Sequence, residues 1–270
     1  MNLKTMCQTV REDILRMLNL AKSGHSGGSL SATEILVGLY FGGIMNVRPE
    51  EPDWEGRDWL ILSKGHACPA VYSVLAEKGY FPKEWLSTLR KLGSPLQGHP
   101  HADRVPGFDC SAGSLGQGLS VANGLAVAFK KKNMPNRVYC LLGDGELQEG
   151  QVWEAVMTAA HFRLDNVCAI VDYNRVQLDG TTDEIMTLGD LHAKWAAFDW
   201  NVISCDGHDI DAVISAYKEA MACKGKPSVI LADTVKGKGV SFMENLAAWH
   251  GAVPNDEQLE KALKEIWEEN

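Results

Sequence analysis

The segment RVYCLLGDGELQEGQVWEAVMTAAHFRLDNVCAIVDYN, residues 137–174, is the most informative part of the chain for its fold. It contains two nearly continuous apolar runs, at 137–143 and 167–174, which are typical of strands covered on both faces. An amphipathic stretch at 149–162 lies between them and predicts a helix. Strands joined through a helix pair in parallel, because parallel strands need a long crossover connection. The segment therefore predicts a βαβ unit.

The rest of the chain repeats this alternation of apolar runs and amphipathic stretches. Further strands are predicted at 58–63, 201–207 and 228–234, and further helices at 3–17, 31–40, 69–79, 115–131, 190–198, 209–223 and 256–270. We therefore predict a single doubly wound α/β domain over residues 1–270, with a mostly parallel sheet and helices on both faces. In such sheets ligands bind at the carboxyl ends of the strands.

Composition excludes several classes of protein. The chain has 270 residues and a net charge of -9, with no cluster of lysine and arginine, so we expect no nucleic-acid partner. No apolar run approaches the roughly 18 residues of a membrane span, so we expect no membrane partner. The seven cysteines are scattered and form no CxxC pair, which indicates reduced thiols and a cytoplasmic location.

The sequence GDG follows the strand at 137–143. Gly143 and Gly145 flank Asp144, and glycines let the backbone approach a bulky ligand. Asn174 ends the next strand, and 28 residues separate it from Gly145. Because the two strands are expected to be parallel neighbours, the side chains of Asp144 and Asn174 should lie at the same edge of the sheet. Carboxylate and amide oxygens suit Mg²⁺, and the following helix offers free N–H groups to a phosphate. GDG alone is usually a tight turn, but this spacing favours a magnesium and diphosphate site.

Histidines in glycine-rich surroundings are the candidates for proton transfer. Imidazole is well suited to moving protons near neutral pH, although a lone histidine is more often structural. The candidates are His25 in SGHSGGS, His66 in LSKGHA, His99 in QGHPH and His250 in AWHGAVP. The remaining histidines lack this context and are interpreted as structural or surface residues: His101, His161, His192 and His208.

A second glycine-rich stretch, SAGSLGQG at 111–118, precedes a helix of small residues. It is read equally well as a helix start with close packing or as backbone that contacts a flat heterocycle.

Taken together, GHSGGSLS, LSKGHA, QGHP, SAGSLGQG, GDGELQEG, DYN and WHG resemble, in the same order, the N-terminal part of transketolases. The resemblance covers about residues 8–254 and implies the thiamine diphosphate-binding fold, with thiamine diphosphate and Mg²⁺ as cofactors. It implies Mg²⁺ at Asp144, Asn174 and the carbonyl of Val176. For the cofactor it implies contacts from His66, Gly113, Ser114, Leu115, Gly145, Asn174 and His250, and communication across a dimer through Glu149. The catalytic residues it implies are His25, His66, His99 and His250.

The resemblance also implies a missing half. In the family a further, pyrimidine-binding domain supplies the glutamate that activates the cofactor and residues that contact the sugar phosphate. Nothing in this sequence matches that domain. We therefore expect the N-terminal subunit of a split transketolase, which acts on sugar phosphates together with a C-terminal subunit in a heterotetramer of two plus two. Ser26, Ser114 and His101 depart from the family pattern at positions that bear on substrate preference.

Three alternatives stay open. The first is a subunit similar to 1-deoxyxylulose-5-phosphate synthase, which stays open because the histidines of such an enzyme overlap with those of a transketolase. Half of an oxo-acid oxidoreductase is disfavoured, because the chain lacks iron–sulfur cysteine spacing. A non-catalytic cofactor sensor or regulatory protein would fit the missing domain but not the retained histidines.

Overall fold

The computed structural model describes residues 2–268, which form a five-stranded sheet with helices on both faces. The strands are β1 (Trp59–Leu62), β2 (Val138–Gly143), β3 (Val167–Tyr173), β4 (Asn201–Asp206) and β5 (Ser228–Asp233). Their order across the sheet is β1-β2-β3-β5-β4, and each of these pairs is parallel. This confirms the α/β class and the βαβ unit at 137–174.

The helices are α1 (Leu3–Ala21), α2 (Gly27–Ser31), α3 (Thr33–Phe41), α4 (Cys68–Lys78), α5 (Gly118–Lys131), α6 (Gly150–His161), α7 (Thr182–Met186), α8 (Leu191–Ala197), α9 (Ile210–Ala222) and α10 (Asp256–Glu268). Glu269 and Asn270, at the end of the predicted last helix, lie outside the described residues. Among the helices of residues 2–268, none combines the length and hydropathy needed to cross a membrane.

Side chains of the central strands alternate between two apolar cores. In β2, Tyr139 and Leu141 pack with α1, α3, α4 and α9 on one face, whereas Cys140 and Leu142 pack with α5, α6 and α8 on the other. Both faces are thus removed from water, which is the physical reason that the strands are apolar along their whole length.

One predicted helix start differs from the structure, at the glycine-rich stretch 111–118. α5 begins at Gly118 rather than at 115, because the preceding residues form a loop in which Gly116 has φ +82°. After GDG a short 3₁₀ turn, Gly145–Gln148, precedes α6, which begins only at Gly150. The start predicted at 149 is thus within one residue of the observed one. The amide of Gly145 donates to the Asp144 carboxylate, at 2.7 Å.

Candidate functional site

The ends of β2 and β3 bring the predicted metal ligands together. Strand pairing sets Gly143 beside Asp172, so Asp144 and Asn174 leave the sheet at the same edge. Together with Val176 they line a cavity of about 290 Å³. The Asp144 carboxylate accepts hydrogen bonds from the amides of Gly145 and Arg175, and the Asn174 side-chain oxygen accepts from the amide of Val176 at 3.0 Å.

This donor set fits a hard cation. It offers a carboxylate, an amide oxygen and a backbone carbonyl, which are the ligand types that Mg²⁺ takes in proteins. Asp144 is 2% exposed, and burial followed by the charge of Asp172 raises the pKa of its carboxyl to about 6. A bound cation would stabilise the charged carboxylate form of Asp144, which burial and Asp172 disfavour.

Two buried lysines in this cavity were not predicted from the sequence. Lys64 donates to the carbonyl of Gly28 at 3.0 Å and forms an ion pair with Asp172. Lys236 donates to the carbonyl of Val176 at 2.7 Å and lies 2.9 Å from Nδ1 of His250. Burial and the neighbouring charge of Lys64 lower the pKa of Lys236 to about 8. The cavity thus holds two ammonium groups beside the carboxylates of Asp144, Glu146 and Glu149.

Lys64 could have been found from its context, since it lies between a predicted strand and His66, at the expected ligand edge. Lys236 likewise follows a predicted strand, at 228–234, but TVKGKG also matches a plain surface turn.

The four candidate histidines converge from distant parts of the chain. The ring centroids of His66 and His250 are 5.0 Å apart, and the His25 ring lies 5.3, 5.6 and 6.0 Å from those of His66, His250 and His99. His66 and His250 line the cavity itself, whereas His25 and His99 extend the cluster beyond it.

The imidazoles of this cluster are held in the neutral form. Burial, then the charge of Arg90, lowers the pKa of His25 to about 4, and burial, then the charge of Lys236, lowers that of His250 to about 4. Burial also lowers the pKa values of His66 and His99. Nδ1 of His25 is buried without a hydrogen-bond partner in the part of the chain that the structure describes.

The other predicted cofactor residues are divided between two neighbouring cavities. Leu115 and Glu149 line the cavity of Asp144, whereas Gly113 and Ser114 line an adjacent one of about 230 Å³. Gly113, Ser114 and Glu149 are exposed. In this chain by itself they do not enclose a ligand.

Glu146, three residues before Glu149, is the buried carboxylate that organises these loops. It is 3% exposed and accepts hydrogen bonds from the amides of Gly116 at 2.8 Å and Gly143 at 3.0 Å, and from the hydroxyl of Ser63. It therefore joins the GSLG loop to the GDG turn. Its sequence context does not distinguish it, because its role depends on two loops that meet only in the fold.

Comparison with known families identifies the fold and the family. The family described as "Transketolase, thiamine diphosphate binding domain" matches residues 3–269. The chain belongs to the transketolase family. The N-terminal resemblance in the sequence is thereby confirmed, and the matched part is the domain that binds thiamine diphosphate.

The similar proteins are either about as long as this chain or more than twice its length. The chain is 46% identical to a 6-deoxy-6-sulfo-D-fructose transketolase subunit of a Clostridium species, over 99% of this chain and 97% of that protein. It is 42% identical to an apulose-4-phosphate transketolase subunit of Phocaeicola vulgatus, over 96% of this chain and 91% of that protein. The structure of the Campylobacter jejuni transketolase superimposes with a TM-score of 0.93 and 32% identity, over 99% of this chain but 43% of that one. The chain thus spans about two fifths of such a full-length transketolase.

Proposed function

We propose that this chain is the cofactor-binding subunit of a two-subunit transketolase. In this proposal it transfers a two-carbon ketol unit from a ketose, or ketose phosphate, to an aldose. The observation that carries the proposal is one cavity in which the oxygen ligands of Asp144 and Asn174 and two buried lysines lie beside a cluster of four neutral histidines. The relatives of similar length are named as transketolase subunits, which supports a separate partner subunit. In this proposal the partner is a C-terminal subunit and the assembly is a heterotetramer of two plus two.

The metal and the diphosphate have matching residues in the cavity. Asp144, Asn174 and the Val176 carbonyl would hold Mg²⁺, and His66, His250 and Gly145 would contact the diphosphate. The ammonium groups of Lys64 and Lys236 would offset its negative charge. When bound, thiamine diphosphate supplies the electron sink for cleavage of a carbon–carbon bond next to a carbonyl.

The histidines act on the hydroxyl groups of the sugar. A neutral imidazole accepts a proton, so His25 or His250 takes the proton of the C3 hydroxyl as the C2–C3 bond breaks. His99 donates a hydrogen bond to a hydroxyl of the two-carbon fragment.

Two variants test cofactor binding and ketol transfer separately. Asp144→Ala should weaken the affinity for thiamine diphosphate in magnesium by roughly 10–100-fold, which isothermal titration of the full chain with its co-purified partner would measure. His25→Ala should retain binding but lose roughly 10²–10⁴-fold in ketol transfer, the range for a removed proton-transfer group. The exposed His192, which lies outside this cavity, provides the control variant His192→Ala.

The outcome for each role is separate. Wild-type affinity in Asp144→Ala would refute the metal assignment, and unchanged transfer in His25→Ala would refute its catalytic role. Gentle purification from the native host followed by native mass spectrometry tests the partner. Recovery of the chain alone would contradict the two-subunit enzyme, and pyruvate decarboxylation by the assembled enzyme would favour a synthase-like activity.

A further inference from the structure

His208, interpreted from the sequence as structural or surface, lies in a buried network behind the cofactor cavity. It follows β4, and its side chain is 13% exposed. Its Nδ1 lies 3.0 Å from a carboxylate oxygen of Glu34, and its Nε2 lies 2.7 Å from the backbone nitrogen of Val235. One ring therefore links helix α3 to the segment that follows β5.

These two contacts determine the tautomer. A backbone N–H can only donate, so Nε2 of His208 accepts from Val235 and Nδ1 carries the proton that is donated to Glu34. Glu34 in turn forms an ion pair with Arg11 at 2.7 Å, between side chains that are each 8% exposed. Burial alone would raise the pKa of Glu34. The charge of Arg11 and the hydrogen bond from His208 outweigh burial, and the pKa of Glu34 is lowered to about 2. The carboxylate thus stays charged and holds the ring.

The residue bound by His208 directly precedes Lys236, whose ammonium reaches the Val176 carbonyl and His250 in the cofactor cavity. The neighbours on either side are anchored as well. Thr234 donates from its hydroxyl to Asp172, and Gly237 donates from its amide to the Gly27 carbonyl at 3.1 Å. The backbone around Lys236 is thereby held on both sides, and the Lys236 carbonyl itself accepts from the Asn245 amide at 2.9 Å. His208 provides the side-chain contact to the residue just before the lysine.

We propose that His208 is a positioning residue, which fixes the backbone at Val235 so that the ammonium of Lys236 points into the cofactor cavity. This inference rests on the proposed function, because it treats Lys236 as a contact of the diphosphate. His208 itself does not line that cavity but a separate groove of about 850 Å³, together with Val235 and Lys238. Water in this groove can solvate the Val235 amide when the imidazole is removed, so the loss affects the direction of Lys236 more than the fold.

Two substitutions at one position test this. His208→Ala removes the acceptor, whereas His208→Gln offers a side-chain oxygen to the same amide. Amide hydrogen exchange of the 234–239 segment should be about tenfold faster in His208→Ala and near the wild-type rate in His208→Gln. The Kd for thiamine diphosphate, with Mg²⁺ and the co-purified partner, should rise by about tenfold in the alanine variant and be restored by glutamine. At saturating cofactor, kcat should stay near that of the wild type. His192→Ala, in the same groove, is the matched control.

The inference is overturned if His208→Ala exchanges and binds like the wild type, or if His208→Gln is as impaired as His208→Ala. A fall in kcat at saturating cofactor with an unchanged Kd would overturn it too. If the wild-type chain and its partner bind no thiamine diphosphate, the proposed function fails instead. The exchange rates still decide whether His208 holds the segment.

Discussion

Replacement of Lys64 by methionine should destabilise the protein strongly, because it leaves a buried carboxylate without its counter-charge. The side chains of Lys64 and Asp172 are 2% and 0% exposed. Burial would raise the pKa of Asp172, but the charge of Lys64 and its hydrogen bond outweigh burial and lower it. Removing one partner of such a pair costs about 3–5 kcal/mol.

The surroundings place the expected cost near the lower end of this range. Asp172 keeps hydrogen bonds from the hydroxyls of Ser31, at 2.6 Å, and Thr234, and one from the Asn174 side-chain amide at 3.3 Å. These neutral donors satisfy the carboxylate oxygens in part. We therefore expect Lys64→Met to lower the free energy of unfolding by about 3 kcal/mol, which is a large share of the roughly 5–15 kcal/mol typical of domains.

Urea unfolding followed by tryptophan fluorescence measures this change. The double variant Lys64→Met/Asp172→Asn should be more stable than the sum of the two single changes implies, by about 1–3 kcal/mol. The exposed pair of Arg175 and Asp233, with side chains 48% and 59% exposed, provides the control, since Arg175→Met should cost no more than about 1 kcal/mol. A loss below about 1 kcal/mol in Lys64→Met, or additive single changes, would show that the buried pair does not have the strength assigned to it.

The remaining predictions concern pH, packing and metal. His25 and His250 have folded pKa values of about 4, below the ordinary 6.5, so the unfolded chain binds more protons between these values. The stability of the cofactor-free protein should therefore fall as the pH drops from 6.5 to 4. In thermal melts the Tm of His25→Gln should fall less over this range than that of the wild type. An equal fall would show that His25 does not contribute. Gly118→Ala would place Cβ 2.5 Å from Ser63 and should cost about 1–3 kcal/mol in urea unfolding. Gly113→Ala meets no atom within 4 Å and should be neutral; equal costs would exclude a steric cause. In thermal melts, thiamine diphosphate should raise the Tm with Mg²⁺ but not after EDTA treatment, and a shift that survives EDTA would argue against a metal-bridged diphosphate.

Much of the architecture could be predicted from local sequence. The apolar runs predicted all five strands, because a strand buried on both faces of a parallel sheet is apolar along its whole length. The carboxyl-edge rule then predicted that Asp144 and Asn174 would lie together, and strand pairing brings them to the same edge. Helix starts were less accurate where loops with a positive φ precede them, as at Gly116.

Local patterns and ordered motifs in the amino-acid sequence are sufficient for the fold class, the family and the polar residues at the ends of β2 and β3. The contacts that the supporting side chains make with these residues are known only from the folded chain. Lys64 passes over the end of β2, where a Cβ at Gly143 would lie 3.6 Å from its Cδ, to pair with Asp172 on β3. His208 holds a residue 27 positions further along the chain. Such contacts join residues that are remote in sequence, and burial rather than local pattern makes them strong.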